Sequence, residues 1–482
     1  MNRLKDIDFT DADLNAVITE LDPMRNEAYR ITDELTAGRL FADVFRTVLR
    51  FNISTKAWCA YNGIIWKQDD GSAVAEKLCQ RFTRSLEMYV IARKSLEPTE
   101  TESKYQQFAM KLGDRQKRVK MLDDAKPWLT INETDFDADS RLLNCQNCVI
   151  DLQTGNTLEH DPELLLSKVC NVHYDSGAYA KQWDKFISEI MQGDPEKIEY
   201  LQRILGYGIT GTNYEEKCFM FYGKSTRNGK STLIETVSYL LGDYAKSLPP
   251  EALAQKQRDA SRPNEEIARL RGVRFVQLSE PSKRMIFDVA LLKNLTGGDT
   301  QTAHFKYGHM FEYSPIFKIF INTNYLPVVN DDSLFSSDRV HVLTFDRHFE
   351  PKEQDRNLKQ NLRRPEVMSG ILNWLLEGLE RYRQLGVEPV PAVLHATEEY
   401  RKDSDKMGKF IEECLRSDPG QCVTAKYLYE VYSDWCSDSG YGTENKGNFL
   451  NELRTRNMLS KTATVRGVTQ FNVVKDYSVI GY

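Results

Sequence analysis

At 482 residues the chain is about three times the length of a typical domain, enough for roughly two to four domains with a core in each. With 41% hydrophobic, 28% charged and 11% aromatic residues it has the proportions of a folded globular protein, which excludes a disordered chain, a fibre and a small disulfide scaffold. Sixty-four Lys and Arg against 70 Asp and Glu leave a formal net charge of -6; that total gives no hint of a nucleic-acid partner, yet it averages over the surface and leaves room for a local basic groove.

The amino terminus, MNRLKDIDFTDADLN, lacks the apolar stretch of a signal peptide, and no segment approaches the ~18 consecutive apolar residues of a membrane span, so a soluble, cytoplasmic protein without a membrane partner is expected. Nine scattered cysteines are an odd count and read as reduced thiols. Trp58 to Trp66 sets Asn62-Gly63 between two aromatic runs, a hairpin signal, and a helix is expected from about Ala73 to Lys94. Residues 111–120 carry five basic side chains against Asp114 alone, which reads as a solvated helix face. In DFDADS, Asp135, Asp137 and Asp139 read as a solvated acidic turn rather than a metal site. Residues 142–160 suggest two strands joined through Thr154-Gly155; Cys145 and Cys148 have the spacing of half a zinc site but no second pair nearby, and are read as part of a strand and turn.

From Trp183 the pattern becomes α/β. Two helices flank Gly193-Asp194-Pro195, and apolar runs at 218–222, 273–278 and 316–321 are spaced by helical stretches, as in a parallel sheet covered on both faces. A helix is expected over 396–416. The last ~65 residues read as helix (425–437), helix (446–458) and a strand pair around Val465 to Val468, the order of a winged helix.

The sharpest motif is the run from Cys218 through Gly223, Asn228, Gly229, Lys230, Ser231 and Thr232, a strand that enters a glycine loop and then a helix. This is the setting of a Walker A loop, in which the helix start offers unpaired N–H groups to phosphate oxygens, Lys230 reaches the β and γ phosphates of ATP, and Ser231 ligates Mg²⁺. Five residues separate Gly223 from Gly229, one more than the common spacing. Phe275 to Glu280 is an apolar strand ending in an acid, where Glu280 can polarise the attacking water and share the metal; Ser279 occupies the place of a common metal-holding Asp. Ile319 to Asn324 is a third strand with a polar tip, and Asn324 is a candidate to orient that water. His304, Lys306, Tyr307 and His309 form a basic, aromatic loop suited to a single strand, touching phosphate and stacking on bases. Arg339, just before the strand VHVLTF, is a candidate arginine finger for a neighbouring subunit. Residues 446–475 hold six basic side chains against Glu452 alone, with Arg454 and Arg456 on the expected recognition helix and Arg466 at the wing tip.

With these motifs in view the chain, from about Leu40 to its end, resembles the phage- and plasmid-encoded primase-helicase ATPases, superfamily 3 DNA helicases within the AAA+ group. The matching residues run from Asn144, Asp151 and His160 through Trp183, Gly206 to Gly211, Asn228 to Thr232, Ser279-Glu280, Leu295 to Asp299, Thr323-Asn324 and Arg339 to Thr397 to Asp405 and Tyr432 to Trp435. The resemblance implies an accessory and oligomerisation domain over 1–180, an AAA+ ATPase domain over 181–385, and a helical linker with a winged helix over 386–482. It further implies a homo-oligomeric, hexameric ring that hydrolyses ATP between subunits and pulls single-stranded DNA through its channel 3′ to 5′. Lys306 and His304 would then sit on the channel hairpin, His304 replacing a common Arg. A phage, satellite or plasmid setting in a bacterial host follows, with no primase module in this chain and hence a separate primase or single-strand-binding protein as partner. The alternative is an initiator that binds origin duplex DNA and uses ATP only to assemble.

Overall fold

The computed structural model describes residues 8–94, 97–255, 265–282, 285–304, 310–329, 331–465 and 468–480. The first unit is helical around a small sheet: α1 (Asp11–Leu21), α2 (Glu34–Phe45), β1 (Leu49–Asn52), β2 (Ala57–Tyr61), β3 (Trp66–Gln68), α3 (Ala73–Ala92), α4 (Glu100–Leu112), α5 (Arg115–Ala125) and β4 (Thr130–Ile131). Its strands lie in the order β3-β2-β1-β4, with only the β1–β4 pair parallel. The expected hairpin forms: Asn62 Oδ1 accepts from the N–H groups of Ile64 and Ile65, and Gly63 takes the positive φ of 91° that the turn needs. The predicted helix from Ala73 is α3, and Phe41, Phe45 and Phe82 centre the core.

A meander follows, β5 (Leu142–Asn144), β6 (Val149–Asp151) and β7 (Thr157–Leu158), three strands where two were expected. Cys145 to Cys148 makes the first turn, with the Cys145 N–H donating to the Cys148 carbonyl, and Gly155, at φ 75°, makes the second.

The central layer begins with α6 (Lys181–Ile190), α7 (Pro195–Gly208), β8 (Cys218–Tyr222), α8 (Lys230–Leu241), β9 (Ala245–Ser247), α9 (Glu265–Ala268), β10 (Phe275–Ser279) and α10 (Val289–Thr296). It continues with β11 (Gln301–His304), β12 (Met310–Tyr313), β13 (Lys318–Thr323), α11 (Ser333–Ser336), β14 (Val340–Thr344), α12 (Leu358–Leu362), α13 (Pro365–Leu385) and α14 (Pro391–Ser404). Five strands form one parallel sheet in the order β14-β8-β13-β10-β9, while β11 and β12 pair apart from it as an antiparallel hairpin. Alternate residues serve opposite faces: Phe219, Phe221, Phe275 and Phe320 pack with α6, α7, α8 and α13, while Met220, Val276, Ile319 and Val342 pack with α10 and with Tyr400 of α14. Burial on both faces is why these strands read as unbroken apolar runs.

Two buried cations close the lower edge of this sheet. Lys318 Nζ donates to the Thr212 carbonyl (3.1 Å), the Ile316 carbonyl (3.2 Å) and both oxygens of Thr210, and Arg274 donates to the carbonyls of Ile209 (3.0 Å) and Leu142 (2.6 Å). The Ile209, Thr210 and Thr212 carbonyls among these lie just past the C-terminal end of α7, where positive charge is favoured.

The last unit comprises α15 (Lys406–Cys414), β15 (Leu415–Thr424), α16 (Ala425–Asp438), α17 (Lys446–Thr455), β16 (Leu459–Val465) and β17 (Val468–Val479). Its antiparallel sheet runs β15-β17-β16, over a core of Phe410, Tyr432, Trp435 and Phe449. The helix expected over 396–416 is two helices. Asp405 leaves helical geometry at ψ 81°, its carboxylate caps the Gly408 N–H at 2.8 Å, and a new helix starts. Residues 415–424 extend into a strand whose register shifts between Ser417 and Cys422, around Pro419-Gly420. Among the described residues no helix is long and apolar enough to cross a membrane.

Candidate functional site

Parallel strands end together, so the C-terminal edge of the sheet gathers the tips of β8, β10 and β13. Gly223 leaves β8 in a cradle: a Cβ there would lie 2.8 Å from the Phe345 carbonyl and 2.9 Å from Lys230 Nζ. Gly229 turns the chain into α8 at φ 86°, where a Cβ would also meet Ile190. The loop between them is held from within by Asn228, buried, whose Nδ2 donates to the Ser225 carbonyl at 2.7 Å.

Lys230 opens α8 and is only 3% exposed. Its Nζ donates to Asn324 Oδ1 at 2.8 Å, across the tips of two adjacent strands. Burial pushes the ammonium down to about 8, opposed by the nearby Glu280 carboxylate. Asn322, the residue on β13 that faces Ser279 across the β10 pair, donates through Nδ2 to Ser231 Oγ at 3.0 Å. Glu280 is exposed just past β10; its backbone is left-handed (φ 57°) and its N–H donates to the Asn322 carbonyl at 2.8 Å. A non-glycine residue held there is a backbone strain of the kind that gathers at working sites. Thr232 is half-buried in the first turn of α8. The sequence thus anticipates Lys230, Asn324, Glu280, Ser231 and the loop glycines as one cluster.

It does not anticipate the strap behind the loop. After β14 the chain wraps the outside of the glycine loop: the Phe349 N–H donates to the Arg227 carbonyl (2.9 Å), His348 Nδ1 meets the Thr226 carbonyl (2.9 Å), and Lys197 of α7 anchors the strap through Thr344 Oγ1 (2.9 Å) and Asp346 (3.1 Å). These contacts turn loop carbonyls outward and tie them down. Nor did the sequence give Asn322 a role; the polar residue it places inside an otherwise apolar strand is the signal that could have found it.

Arg339 is at the opposite edge, just before β14, away from its own chain's glycine loop. Its guanidinium reaches Glu216 (2.7 Å), the Lys293 carbonyl (3.1 Å) and Thr296 Oγ1 (3.2 Å). Beside it, Asp338 accepts from His341 and pairs with Lys217, which hold its carboxyl down to about 2. His304 ends β11, paired in register with Met310, while Lys306, Tyr307 and His309 lie outside the described residues, as does Arg466. Arg454 is exposed in the last turn of α17 with its guanidinium on Asn451 Oδ1, whereas Arg456 is the residue that ends that helix and is engaged by Asp405 at 2.6 and 3.0 Å.

The acidic turn is not wholly solvated. Asp137 is half-buried against Ser167 and Lys168, and although burial raises its carboxyl, Lys168 and the serine bonds outweigh that and hold it below the ordinary range. The basic run at 111–120 lies on the end of α4 and on α5, where Lys117 pairs with Glu34 at 3.4 Å. Cys145 is buried and carries a free thiol beside that of Cys170, and burial pushes Cys148 up to about 11. Among the described residues no group of three or more His, Cys, Asp or Glu is placed to hold a metal ion.

Comparison with known proteins finds three family matches: "D5 N terminal like" over residues 38–192, a "Family of unknown function (DUF5906)" over 221–339, and "Poxvirus D5 protein-like" over 402–473. A mimivirus protein of Acanthamoeba polyphaga named "Putative helicase L207/L206" is 29% identical over 62% of this chain and 33% of its own length. "Putative helicase 022R" of Frog virus 3 is 29% identical over 47% of this chain and 25% of its own length, and "Putative primase C962R" of African swine fever virus is 23% identical over 62% and 34%. Among solved structures, the NrS-1 C-terminal region covers 92% of this chain and all of that one at 12% identity, with a TM-score of 0.46. The chain is thus similar, in its amino-terminal and carboxy-terminal parts, to D5-like family models, and over a longer stretch to viral proteins named putative helicase or primase. It spans between a quarter and two-fifths of the length of the curated relatives it matches, from 25% to 38%.

Proposed function

We propose that this chain is the ATP-hydrolysing motor of a replicative DNA helicase, a superfamily 3 member with an AAA+ type P-loop core. The observation that carries the reading is the buried Lys230 ammonium, set between a glycine loop and the polar tips of two parallel strands and supplied with a neutral acceptor, Asn324, but, among the described residues, no carboxylate in hydrogen-bond contact. Such a lysine is costly alone and is matched by a phosphate. Gly223, Asn228, Gly229, Lys230, Ser231 and Thr232 would hold the triphosphate of ATP. Ser231 and Glu280 would hold Mg²⁺, which supplies charge neutralisation for the departing ADP. Glu280 takes the proton of the attacking water, Asn324 orients that water, and the γ-phosphoryl passes to it as ADP leaves.

Three parts then take their roles. Residues 1–180 assemble the ring, 181–385 hydrolyse ATP at subunit interfaces of a hexamer with Arg339 acting in trans, and 386–482 carry a winged helix that meets origin duplex DNA through Arg454, Arg456 and Arg466. His304, Lys306, Tyr307 and His309 meet single-stranded DNA, moved 3′ to 5′, with a separate primase or single-strand-binding protein alongside and a cytoplasmic setting in the host cell. The winged-helix reading is supported by the order α15, β15, α16, α17, β16, β17. The test is ATP turnover with and without single-stranded DNA, together with strand displacement on a forked duplex. Turnover stimulated by the strand, lost in Lys230→Ala, is expected; a wild-type protein that assembles on duplex DNA but displaces no strand is an initiator and overturns the motor reading.

A further inference from the structure

Arg339 sits where three elements meet. It precedes β14, it pairs with Glu216 just before β8, and it caps the last turn of α10 through the Lys293 carbonyl and the Thr296 hydroxyl. A guanidinium is favoured there twice, by the carboxylate and by the negative end of a helix, where the Lys293 carbonyl also accepts from the Gly297 N–H at 2.7 Å and the Thr296 carbonyl from Asn213 Nδ2 at 2.8 Å. Gly297 allows the approach, since a Cβ there would lie 2.9 Å from the Lys293 carbonyl and 3.1 Å from Arg339 Nη1. The next residue, Gly298, is left-handed at φ 74° and turns the chain into β11. The guanidinium therefore rests on the root of the β11–β12 hairpin.

The backbone under Arg339 is fixed more firmly than the ion pair its side chain makes. Asp338 is left-handed, tied to Lys217 and to His341, and His341 Nδ1 meets the hydroxyl of fully buried Tyr200 at 2.6 Å. By contrast Glu216 is half exposed, and its bond to Arg339 is open to exchange with another anion.

We propose that Glu216 and Thr296 are positioning residues that give Arg339 two resting places and so couple the nucleotide of a neighbouring subunit to the hairpin of its own. Withdrawn, Arg339 caps α10 and fixes the hairpin root. Drawn out to the neighbour's γ-phosphate, it exchanges Glu216 for that anion and withdraws its donors from the Lys293 carbonyl and the Thr296 hydroxyl, loosening the hairpin root. This rests on the motor reading above.

The experiment uses the full chain and reads ATP turnover with and without oligo(dT), and unwinding of a forked duplex. Thr296→Val should keep DNA-free turnover within about two-fold while losing about ten-fold in stimulation by oligo(dT) and in unwinding, and Thr296→Ser, which keeps the hydroxyl, should restore both. Glu216→Gln should raise DNA-free turnover about three-fold or more, lowering the stimulation ratio. Stimulation in Thr296→Val equal to wild type overturns the coupling, as does a loss of DNA-free turnover in that variant. Should Thr296→Val fail to fold, an unchanged stimulation ratio in Glu216→Gln overturns it alone. Wild-type protein without ATP turnover refutes the motor reading itself and takes the coupling with it.

Discussion

The Lys230 ammonium titrates near pH 8 in the nucleotide-free protein, because burial disfavours its charge. A bound triphosphate requires the charged form, so the dissociation constant for ATP should scale as one plus the ratio of neutral to charged lysine. From pH 7.5 to 9.5 that factor grows from about 1.3 to about 33, a loss of roughly 25-fold in affinity, or about 1.9 kcal/mol. The nucleotide's own phosphates are fully ionised across this window and add little slope. Calorimetric titration with a non-hydrolysable ATP analogue and Mg²⁺ at five pH values measures it. Lys230→Arg, charged throughout, should bind more weakly at pH 7.5 but show a flat profile. A wild-type constant that changes less than about three-fold, or an arginine variant that falls in parallel, would refute the argument. Stability carries the opposite sign: with the folded value below the ordinary 10.5, the cost of charging is present in full below pH 8 and is relieved as pH rises toward 10.5. The nucleotide-free protein should therefore gain stability over that window.

Arg339→Ala should abolish turnover in homogeneous assemblies yet regain part of it when mixed with Lys230→Ala, since each supplies what the other lacks at a shared interface; no recovery on mixing counts against a trans role. Lys306→Ala should keep DNA-free ATP turnover and lose unwinding, which a forked-duplex assay reads directly. Lys318→Met orphans a group of carbonyls below the sheet and should cost about 2–4 kcal/mol in urea unfolding, a loss below about 1 kcal/mol contradicting the role given to that lysine.

The legible parts of the fold are those set by neighbours in sequence. Asn62-Gly63 specifies its hairpin through contacts two and three residues away, and the runs at 218–222, 273–278 and 316–321 announce strands because both faces are apolar. The glycine loop was readable for the same reason: strand, turn and helix are contiguous. What escaped depends on distant partners. Residues 245–247 are a polar-looking Ala-Lys-Ser that becomes β9 only because β10 offers a free edge. The strap over 345–349 contains no motif, and its meaning comes from carbonyls more than a hundred residues earlier. Asp137 looked solvated because its partner, Lys168, is thirty-one residues on. The helix across 396–416 failed at Asp405, whose capping role competes with helix continuation and is visible only once Gly408 is placed.

Asp405 has one more effect. It ends α14 and begins α15, so the carboxy-terminal unit hangs on a joint one residue long, and the same carboxylate grips Arg456 at the end of α17 within that unit. A tether this short gives the unit almost no volume to explore. Whatever the unit holds is kept at a fixed offset from the sheet, at an effective concentration far above that of a flexible leash. Asp405→Gly would loosen the joint and release Arg456 from its carboxylate at the same time, so whatever the unit holds would be delivered by diffusion rather than by geometry.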